Sequence, residues 1–497
     1  MNALKKLAGQ TAVYGVSSIA GRLLNYLLVY LHTRVFVAGE FGAITELYGM
    51  VAFLVVMLTY GMETAFFRFG GAAKNPEDQS RVFSTAFISV LTTTGIFLIL
   101  VLTNVSSIAE GLHYGSNPNY IVYFAVIVGL DVLTTIPFAR LRLLNKAVVF
   151  VGVNLGSIGL YILLNLFLLM YCPAAMEDSS YPGSGLIRSF YNPEFGIGYV
   201  FVANLISSGF KFLLLSPWMR DVFKGFHVKV AKQLYPYALP LLFLGLAGIV
   251  NETFDRVFFI RLSPLPEEEA RAQLGIYGAC YKVAMLLSIG IQAYRYAAEP
   301  FIFSLAKKES DDTQAEVMKY YVIAAAFITL TLLCFLDVAM MMVGEELREG
   351  RDVVPILLLA YFCFGVVFNL SFWYKLTDKT RYGALIAFAG AAVTVVMNVL
   401  LIPHFSYYGC AWATLGAYAA MMLISYGLGQ KHNPIPYQLR AFAFYILLAA
   451  ALYAGHRLIG FESVLKYGTG ALAVGTFAAV VWVREQRLRN LKLTKND

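Results

Sequence analysis

The sequence predicts an all-α membrane protein with about fourteen transmembrane helices. Three observations favour this class. Of the 497 residues, 59% are hydrophobic and only 14% are charged, whereas soluble globular proteins are about 45–50% apolar and about 25% charged. Apolar runs of about 20 residues, the length that a helix needs to cross a bilayer, recur along the whole chain. Most of the 38 Lys and Arg residues lie in the short connections, on one side of the predicted membrane.

Fourteen stretches have the length and hydropathy of a membrane-spanning helix. The predicted spans are residues 11–32, 43–66, 82–102, 120–139, 147–171, 195–216, 236–260, 274–298, 318–343, 353–374, 382–402, 407–428, 440–459 and 464–483. The longest connection, 172–194, is rich in Pro, Gly, Ser and Tyr, which predicts an ordered surface loop. The first run has no small-residue cleavage site, so we expect it to be retained as a helix.

The distribution of basic residues predicts the orientation of the chain. With a cytoplasmic N-terminus, most of the Lys and Arg residues fall in cytoplasmic connections. If one span were missing, the connections after it would change sides, and the basic residues would no longer be concentrated on one side of the membrane. The prediction is therefore a multi-pass protein with both termini in the cytoplasm. The net charge of +8 resides in these loops and does not indicate binding of nucleic acid.

An internal repeat relates two parts of the chain. The tripeptide Arg-Val-Phe closes the first span at 34–36 and the seventh span at 256–258. A glycine follows each copy, Gly42 or Gly275, and a tyrosine lies six residues beyond each glycine. Because a repeat of six spans keeps the same orientation in both copies, the copies are expected to be related by a pseudo-twofold axis along the membrane normal. A substrate site is then expected at their interface near the midplane.

This repeat predicts two six-helix lobes followed by two extra helices. The N-terminal lobe covers 1–216 and contains the first six spans, and 217–235 is a cytoplasmic linker. The C-terminal lobe covers 236–430 and contains spans seven to twelve. The remaining segment, 431–497, holds the two extra helices and a basic cytoplasmic tail.

Charged residues lie deep inside several predicted spans. Each charge near the bilayer centre costs about 2.5–3.5 kcal/mol on insertion scales, so it needs a counter-ion, a water-filled cavity or a ligand. The deep bases are Arg22, Arg256, Lys282 and Arg295, and the deep acids are Asp131, Glu252, Asp255 and Asp337. We predict that the four bases bind an anionic substrate such as a lipid pyrophosphate, because guanidinium and ammonium groups both bind phosphate. The candidates for binding a coupling cation are Asp131, Glu252 and Asp255.

Structural ion pairs are the alternative interpretation of these charges. Arg22 would then pair with a carboxylate such as Asp131. Glu252 and Arg256 are four residues apart and share a helix face, and the same spacing relates Arg295 to Glu299. Three further charges lie near span ends, where snorkelling to the interface explains them: Glu46, Glu63 and Lys211.

The sequence carries no signature of an enzyme. A Walker A motif, a GxSxG elbow, an HExxH motif and an Asp-rich metal motif are all missing from the 497 residues. The six His residues are scattered, and none of the five Cys residues has a CxxC neighbour. We therefore expect no catalytic residue, no bound metal and no cofactor other than a coupling proton or Na⁺.

Several short motifs occur in a characteristic order along the chain. They are Gly-Gln-Thr-Ala-Val-Tyr-Gly at 9–15 leading into Arg22, Glu-Phe-Gly at 40–42, Tyr-Gly-Met-Glu-Thr-Ala-Phe-Phe-Arg at 60–68, Leu-Gly-Ile-Tyr at 274–277 and Glu-Pro-Phe at 299–301. With this order and the span count, the whole chain resembles the Wzx-like polysaccharide flippases of the multidrug/oligosaccharidyl-lipid/polysaccharide exporter superfamily.

The resemblance implies a function in the bacterial cytoplasmic (inner) membrane. It implies alternating access between two lobes that moves a polyprenyl-pyrophosphate-linked oligosaccharide, a repeat unit of lipopolysaccharide or another polysaccharide, to the outer leaflet. The implied partners are this lipid-linked oligosaccharide, membrane lipid, a glycan polymerase and chain-length proteins. A lipid II flippase and a cation-coupled drug exporter share the fold and remain alternatives, although drug exporters usually have twelve spans. A membrane glycan polymerase or ligase fits less well, because no long loop carries catalytic residues.

Overall fold

The computed structural model describes residues 2–303, 307–459 and 464–493. Within these ranges, the structure describes only the backbone of residues 2–18, 297, 300, 303, 307–311, 464, 489 and 491–493. The described residues form helices and connecting turns, with no β-strand among them. The predicted all-α membrane class is confirmed.

Nineteen α-helices occur in the described part of the chain. They are α1 (Asn2–Val35), α2 (Ala38–Thr59), α3 (Met62–Gly71), α4 (Pro76–Thr103), α5 (Val105–Gly111), α6 (Asn119–Leu143), α7 (Ala147–Leu166), α8 (Cys172–Glu177), α9 (Ser184–Phe190), α10 (Gly198–Leu215), α11 (Val228–Leu262), α12 (Glu267–Phe303), α13 (Lys307–Cys334), α14 (Leu336–Met340), α15 (Val354–Leu376), α16 (Arg381–Phe405), α17 (Tyr407–His432), α18 (Leu439–Ile459) and α19 (Val464–Leu493). A π-helical turn, Phe167–Tyr171, joins α7 to α8, and 3₁₀ turns cover Pro193–Phe195, Ser216–Lys224 and Glu345–Val353.

Thirteen helical segments of the described chain are long and apolar enough to cross a membrane. They correspond to the second through fourteenth predicted spans. The first predicted span, 11–32, lies within α1, and many of its side chains are outside the description. The predicted loop 172–194 contains the short helices α8 and α9.

The second predicted span, 43–66, is wrong at its C-terminal end. The apolar run continues, but α2 stops at Thr59. Tyr60 and Gly61 both have positive φ, 34° and 76°, so the chain turns there before α3 begins. An added Cβ at Gly61 would lie 2.6 Å from the Ala238 carbonyl oxygen, so this close approach of α11 also requires glycine.

Two compact units make up the chain, Met1–Gly275 and Ile276–Asp497. In the first unit, α6 packs against α4 and α10, α7 packs against α1 and α10, and α2 packs against α11. In the second unit, α17 packs against α15 and α16, and α13 packs against α15, α18 and α19. By packing, the seventh span α11 belongs to the first unit. The division into lobes at 217–235 follows the sequence repeat and stays a prediction.

Small residues allow close helix crossings in the first unit. A Cβ added to Gly42 of α2 would lie 1.9 Å from the main-chain oxygen of Arg271, and one added to Gly275 would lie 2.0 Å from the oxygen of Ala38. Neither position can hold a larger residue without separating α2 from the first turns of α12. Such small-residue contacts are typical of membrane helices, which associate by van der Waals packing.

Candidate functional site

A chain of hydrogen-bonded polar side chains crosses the first unit between α1, α2, α7 and α10. His32 Nε2 lies 2.7 Å from Asn165 Oδ1. The Asn165 amide in turn donates to the Tyr161 main-chain oxygen at 2.8 Å. The hydroxyls of Tyr161 and Tyr48 are 3.0 Å apart, and the Asn204 amide donates to the Tyr48 hydroxyl at 2.8 Å. Since His32 and Asn165 are 6% and 0% exposed, these bonds avoid the penalty of unsatisfied buried polar groups.

The Asp131 carboxylate of α6 contacts two further polar residues of α10, Ser208 and Lys211. Ser208 lies one turn beyond Asn204, and its hydroxyl donates to Asp131 Oδ1 at 2.9 Å. Lys211 Nζ lies 2.5 Å from the same oxygen. Both charged side chains are mostly buried, with exposed fractions of 26% for Asp131 and 20% for Lys211. Snorkelling is therefore the wrong explanation for Lys211, which neutralises a carboxylate of α6.

Arg22 lies on α1 where this helix crosses α7. An added Cβ on the neighbouring Gly21 would meet Ile158 Cδ1 at 2.8 Å and Asn154 Nδ2 at 3.8 Å. The Arg22 side chain is half-buried and makes neither a hydrogen bond nor an ion pair with another side chain that the structure describes. The alternative pair with Asp131 is not formed, because Lys211 occupies that carboxylate. A deep guanidinium of this kind is a candidate for contact with water or a ligand.

The charged cluster of α11 presents one exposed and two buried side chains. Asp255 and Arg256 are 4% and 9% exposed, whereas Glu252 is exposed. Arg256 Nε lies 3.6 Å from Asp255 Oδ1, and the guanidinium also donates to the Glu252 main-chain oxygen. The ion pair of Arg256 is therefore with Asp255, and the alternative pair with the Glu252 carboxylate was wrong. Arg256 packs against α2, since an added Cβ on Gly49 would lie 3.6 Å from the Arg256 Cβ.

The part of α12 that belongs to the second unit carries Lys282 and Arg295. Lys282 is half-buried. The Arg295 guanidinium lies 4.7 Å from the ring centroid of Phe368, a cation–π contact. Glu299 pairs with Lys375 at 3.0 Å. The alternative pair of Arg295 with Glu299 was therefore wrong, and the aromatic ring of α15 supports the guanidinium instead.

Asp337 obtains partners from distant parts of the second unit. Arg351 Nη2 lies 3.0 Å from its Oδ1, and Lys466 Nζ donates to its Oδ2. The hydrogen bond from Lys466 and the positive charges around it lower the pKa of the Asp337 carboxyl, and burial opposes this effect. These contacts attach the start of α19 to the turn before α15, which is a structural role.

An apolar cavity of about 620 Å³ lies within the second unit. Side chains of α13, α15, α17 and α18 line it, among them Val322, Phe362, Tyr426, Ile446 and Ala449. None of the described residues that line it is Asp, Glu, Lys or Arg. The helix α18, which belongs to the extra C-terminal pair, closes one side. This cavity suits a hydrocarbon chain rather than a charged group.

Solved transporter structures are similar to this chain. The lipid II flippase MurJ in an inward closed conformation matches with a TM-score of 0.65 and 13% identity, over 95% of this chain and 99% of MurJ. An inward-facing multidrug resistance MATE family transporter of the MOP superfamily matches with a TM-score of 0.64 and 13% identity, over 83% of this chain and 94% of the transporter. A eukaryotic MATE transporter has a TM-score of 0.52 and 12% identity, over 89% and 98% of the two chains.

This chain has the fold of these transporters. No protein-family profile and no curated protein sequence matches it. In the described part of the chain, no three His, Cys, Asp or Glu residues are grouped so that they could hold a metal ion.

The sequence interpretation missed the uncharged members of the polar chain. A signal was present in their spacing: Tyr161 and Asn165 are four residues apart in α7, and Asn204, Ser208 and Lys211 follow at intervals of four and three in α10. Such spacing places polar groups on one face of an otherwise apolar helix. The predicted bases are divided between the units, with Arg22 and Arg256 in the first and Lys282 and Arg295 in the second.

Proposed function

We propose that this protein is a flippase that moves a polyprenyl-pyrophosphate-linked oligosaccharide across the bacterial cytoplasmic membrane by alternating access. The observation that carries the proposal is the apolar cavity of about 620 Å³ that α18 closes. A polyprenyl chain needs a long apolar surface, whereas a small soluble drug does not. The support for a lipid-linked substrate thus comes from α18, a helix beyond the first twelve spans.

The headgroup is assigned to the deep bases. Arg22 and Arg295 are the best candidates, because neither forms an ion pair with a carboxylate that the structure describes. Phosphate oxygens accept paired hydrogen bonds from a guanidinium, which makes arginine suitable for a pyrophosphate. Arg256 and Lys282 complete the proposed substrate-binding set, and Arg256 would have to share its charge with Asp255.

Energy coupling is assigned to the acids of the first unit. In the proposal, Asp131 or Asp255 takes up a proton or Na⁺, which releases the ammonium of Lys211 or the guanidinium of Arg256 from its carboxylate. Glu252 is exposed and is the weaker candidate. Glycan polymerase and chain-length proteins remain proposed partners. A cytoplasmic location of both termini is also part of the proposal, and the distribution of basic residues supports it.

Lipid II is the second candidate substrate. The similarity to the lipid II flippase MurJ favours it, because that match covers 95% of this chain and so extends into the C-terminal helices. Lipid II carries the same polyprenyl pyrophosphate, so the apolar cavity and the deep bases would bind it in the same way. The two candidates differ in the group that the pyrophosphate carries.

The test is transport by the purified protein in proteoliposomes. Three fluorescent substrates are compared: a polyprenyl-pyrophosphate-linked oligosaccharide, lipid II and a cationic drug. The proposal expects transfer of the first, and transfer of lipid II alone would favour the second candidate. Transport of the drug without either lipid would refute both.

Variants of α18 test the role of the cavity. Ala449→Trp fills the cavity. Leu447→Trp is the control, because it places the same ring two residues earlier on α18, at a position that is 67% exposed. We expect lipid transfer to be lost in A449W and retained in L447W. Equal transfer in both variants would refute the assignment of the polyprenyl chain to this cavity.

A further inference from the structure

A second cleft lies at the far end of the extra helix pair. It has a volume of about 540 Å³ and is formed by Phe444 of α18 together with a face of α19 that includes Val480 and Leu488. The lining is apolar apart from two arginines, Arg484 and Arg487. We refer to it as the arginine cleft.

The arginine cleft is separate from the apolar cavity of the proposed transport path. Phe444 lies two residues from both Phe442 and Ile446, which line the apolar cavity. Two residues correspond to about 200° around a helix, so the two spaces lie on opposite faces of α18. The arginine cleft therefore does not depend on the proposed function.

Arg484 lacks a counter-ion in the part of the chain that the structure describes. Its guanidinium lies 3.8 Å from the ring centroid of Phe444 and 5.1 Å from that of Tyr445. Its Nη1 atom is buried and has no hydrogen-bond partner there. The adjacent carboxylate of Glu485 is already used, because Lys319 Nζ lies 2.6 Å from Oε2 and the Tyr445 hydroxyl donates to Oε1 at 2.6 Å.

The position along α19 places the arginine cleft at a membrane surface. Arg484 follows Lys466 by eighteen residues, about 27 Å along a helix, which is close to the hydrocarbon thickness of about 30 Å. Lys466 pairs with Asp337 at one end of the span, so Arg484 lies near the other end. Trp482, two residues before Arg484 and therefore at nearly the same depth, is 66% exposed, and tryptophan is typical of the lipid interface. The distribution of basic residues predicts that this surface is cytoplasmic.

We propose that the arginine cleft binds an anionic phospholipid. The phosphate takes paired hydrogen bonds from Arg484 and a contact from Arg487, and one acyl chain lies along the apolar wall. Charge complementarity selects the occupant, because a basic pocket between helices on the cytoplasmic side is suited to acidic headgroups. The bound lipid joins α18 to α19.

The experiment measures binding of phosphatidylglycerol to the full-length protein in detergent by native mass spectrometry. Phosphatidylcholine is the zwitterionic control, and free glycerol phosphate and inorganic phosphate test the headgroup alone. We expect a phosphatidylglycerol adduct that is weakened about tenfold in the double variant R484A/R487A. The matched control R440A removes an exposed arginine near the start of α18 and should bind as the parent does.

Equal binding of the two lipids, or equal phosphatidylglycerol binding by the parent and the double variant, would overturn the proposal. Binding of inorganic phosphate as strongly as the lipid would also overturn it, since the apolar wall would then have no role. Should R484A/R487A fail to fold, V480W fills the cleft and keeps both arginines. Loss of the adduct in V480W supports the proposal, and undiminished binding in V480W overturns it.

Discussion

The buried ion pair that fastens the extra helix pair to α13 gives the sharpest test of the packing. Lys319 and Glu485 are 4% and 8% exposed, and Tyr445, which donates to the same carboxylate, is fully buried. Replacing Glu485 with Ala leaves an ammonium and a phenol hydroxyl buried without an acceptor. Removal of one partner of a buried pair costs about 3–5 kcal/mol. We therefore expect E485A to lower the free energy of unfolding by about that amount.

The double variant separates this cost from loss of packing. K319M/E485L replaces both charges with apolar side chains, and such replacements of buried pairs are often neutral or stabilising. The double variant should therefore be more stable than K319M or E485L alone. The coupling energy of this cycle should be well above the value of about 0.5 kcal/mol that independent sites show. E316A, which removes an exposed acid from the same helix α13, is the matched control.

Thermal unfolding of the purified protein in detergent measures these differences. For a unit of 150–250 residues, 1 kcal/mol corresponds to about 2–4 °C, so E485A should lower the midpoint by about 10 °C. A midpoint within about 2 °C of the parent would refute the reasoning. So would a double variant whose loss equals the sum of the two single losses.

Three further predictions concern the deep charges and the outer end of the second unit. Arg22→Ala should reduce lipid transport about 10–100-fold with normal insertion, because hydrogen bonds to a charged group contribute about 1.5–3 kcal/mol. The control is R220A, which removes an exposed arginine of the Ser216–Lys224 turn. Transport by R22A at the rate of the parent would contradict the phosphate-binding role of Arg22. Asp131→Asn should flatten the dependence of transport on a proton or Na⁺ gradient because the amide cannot exchange Lys211 for a cation, and a parental gradient response would reject this coupling role. The pKa of Asp337 is lowered in the folded protein, chiefly by the hydrogen bond from Lys466. The ionised Asp337 side chain therefore stabilises the fold above the ordinary carboxyl pKa near 4, and this stabilisation is lost as the pH falls through the pKa of the folded protein. D337N should therefore lose less stability than the parent between pH 5 and about pH 3 in thermal unfolding, and identical pH profiles would count against the pair.

Partner choice shows where sequence reasoning stopped. The spacing of four residues suggested Glu252 with Arg256 and Arg295 with Glu299, yet Arg256 pairs with Asp255 and Glu299 pairs with Lys375. The helix spacing rule reports only that two side chains share a face. Glu299 meets Lys375 of α15, a helix that is distant in sequence, whereas Arg256 meets the adjacent residue of its own helix.

Burial of charges was likewise decided by packing. Lys319 lies at the very start of the predicted span 318–343, where a basic residue is expected at the membrane surface, yet it is 4% exposed because Glu485 of α19 lies against α13. Lys211 was attributed to snorkelling and instead neutralises Asp131 of α6. No local property of the sequence records these contacts, which join residues more than seventy positions apart.

What the sequence determined by itself was the membrane class and the order and approximate limits of the thirteen spans that the described residues show. The reason is local: each spanning segment must satisfy its own backbone hydrogen bonds and offer about 20 apolar residues to lipid, so length and hydropathy suffice. Only the tertiary structure decided the left-handed break at Tyr60 and Gly61, the counter-ions of the deep charges, the apolar cavity beside α18 and the arginine cleft. These features depend on which side chains of different helices come within a few ångströms of one another, and that is a property of packing rather than of any single segment.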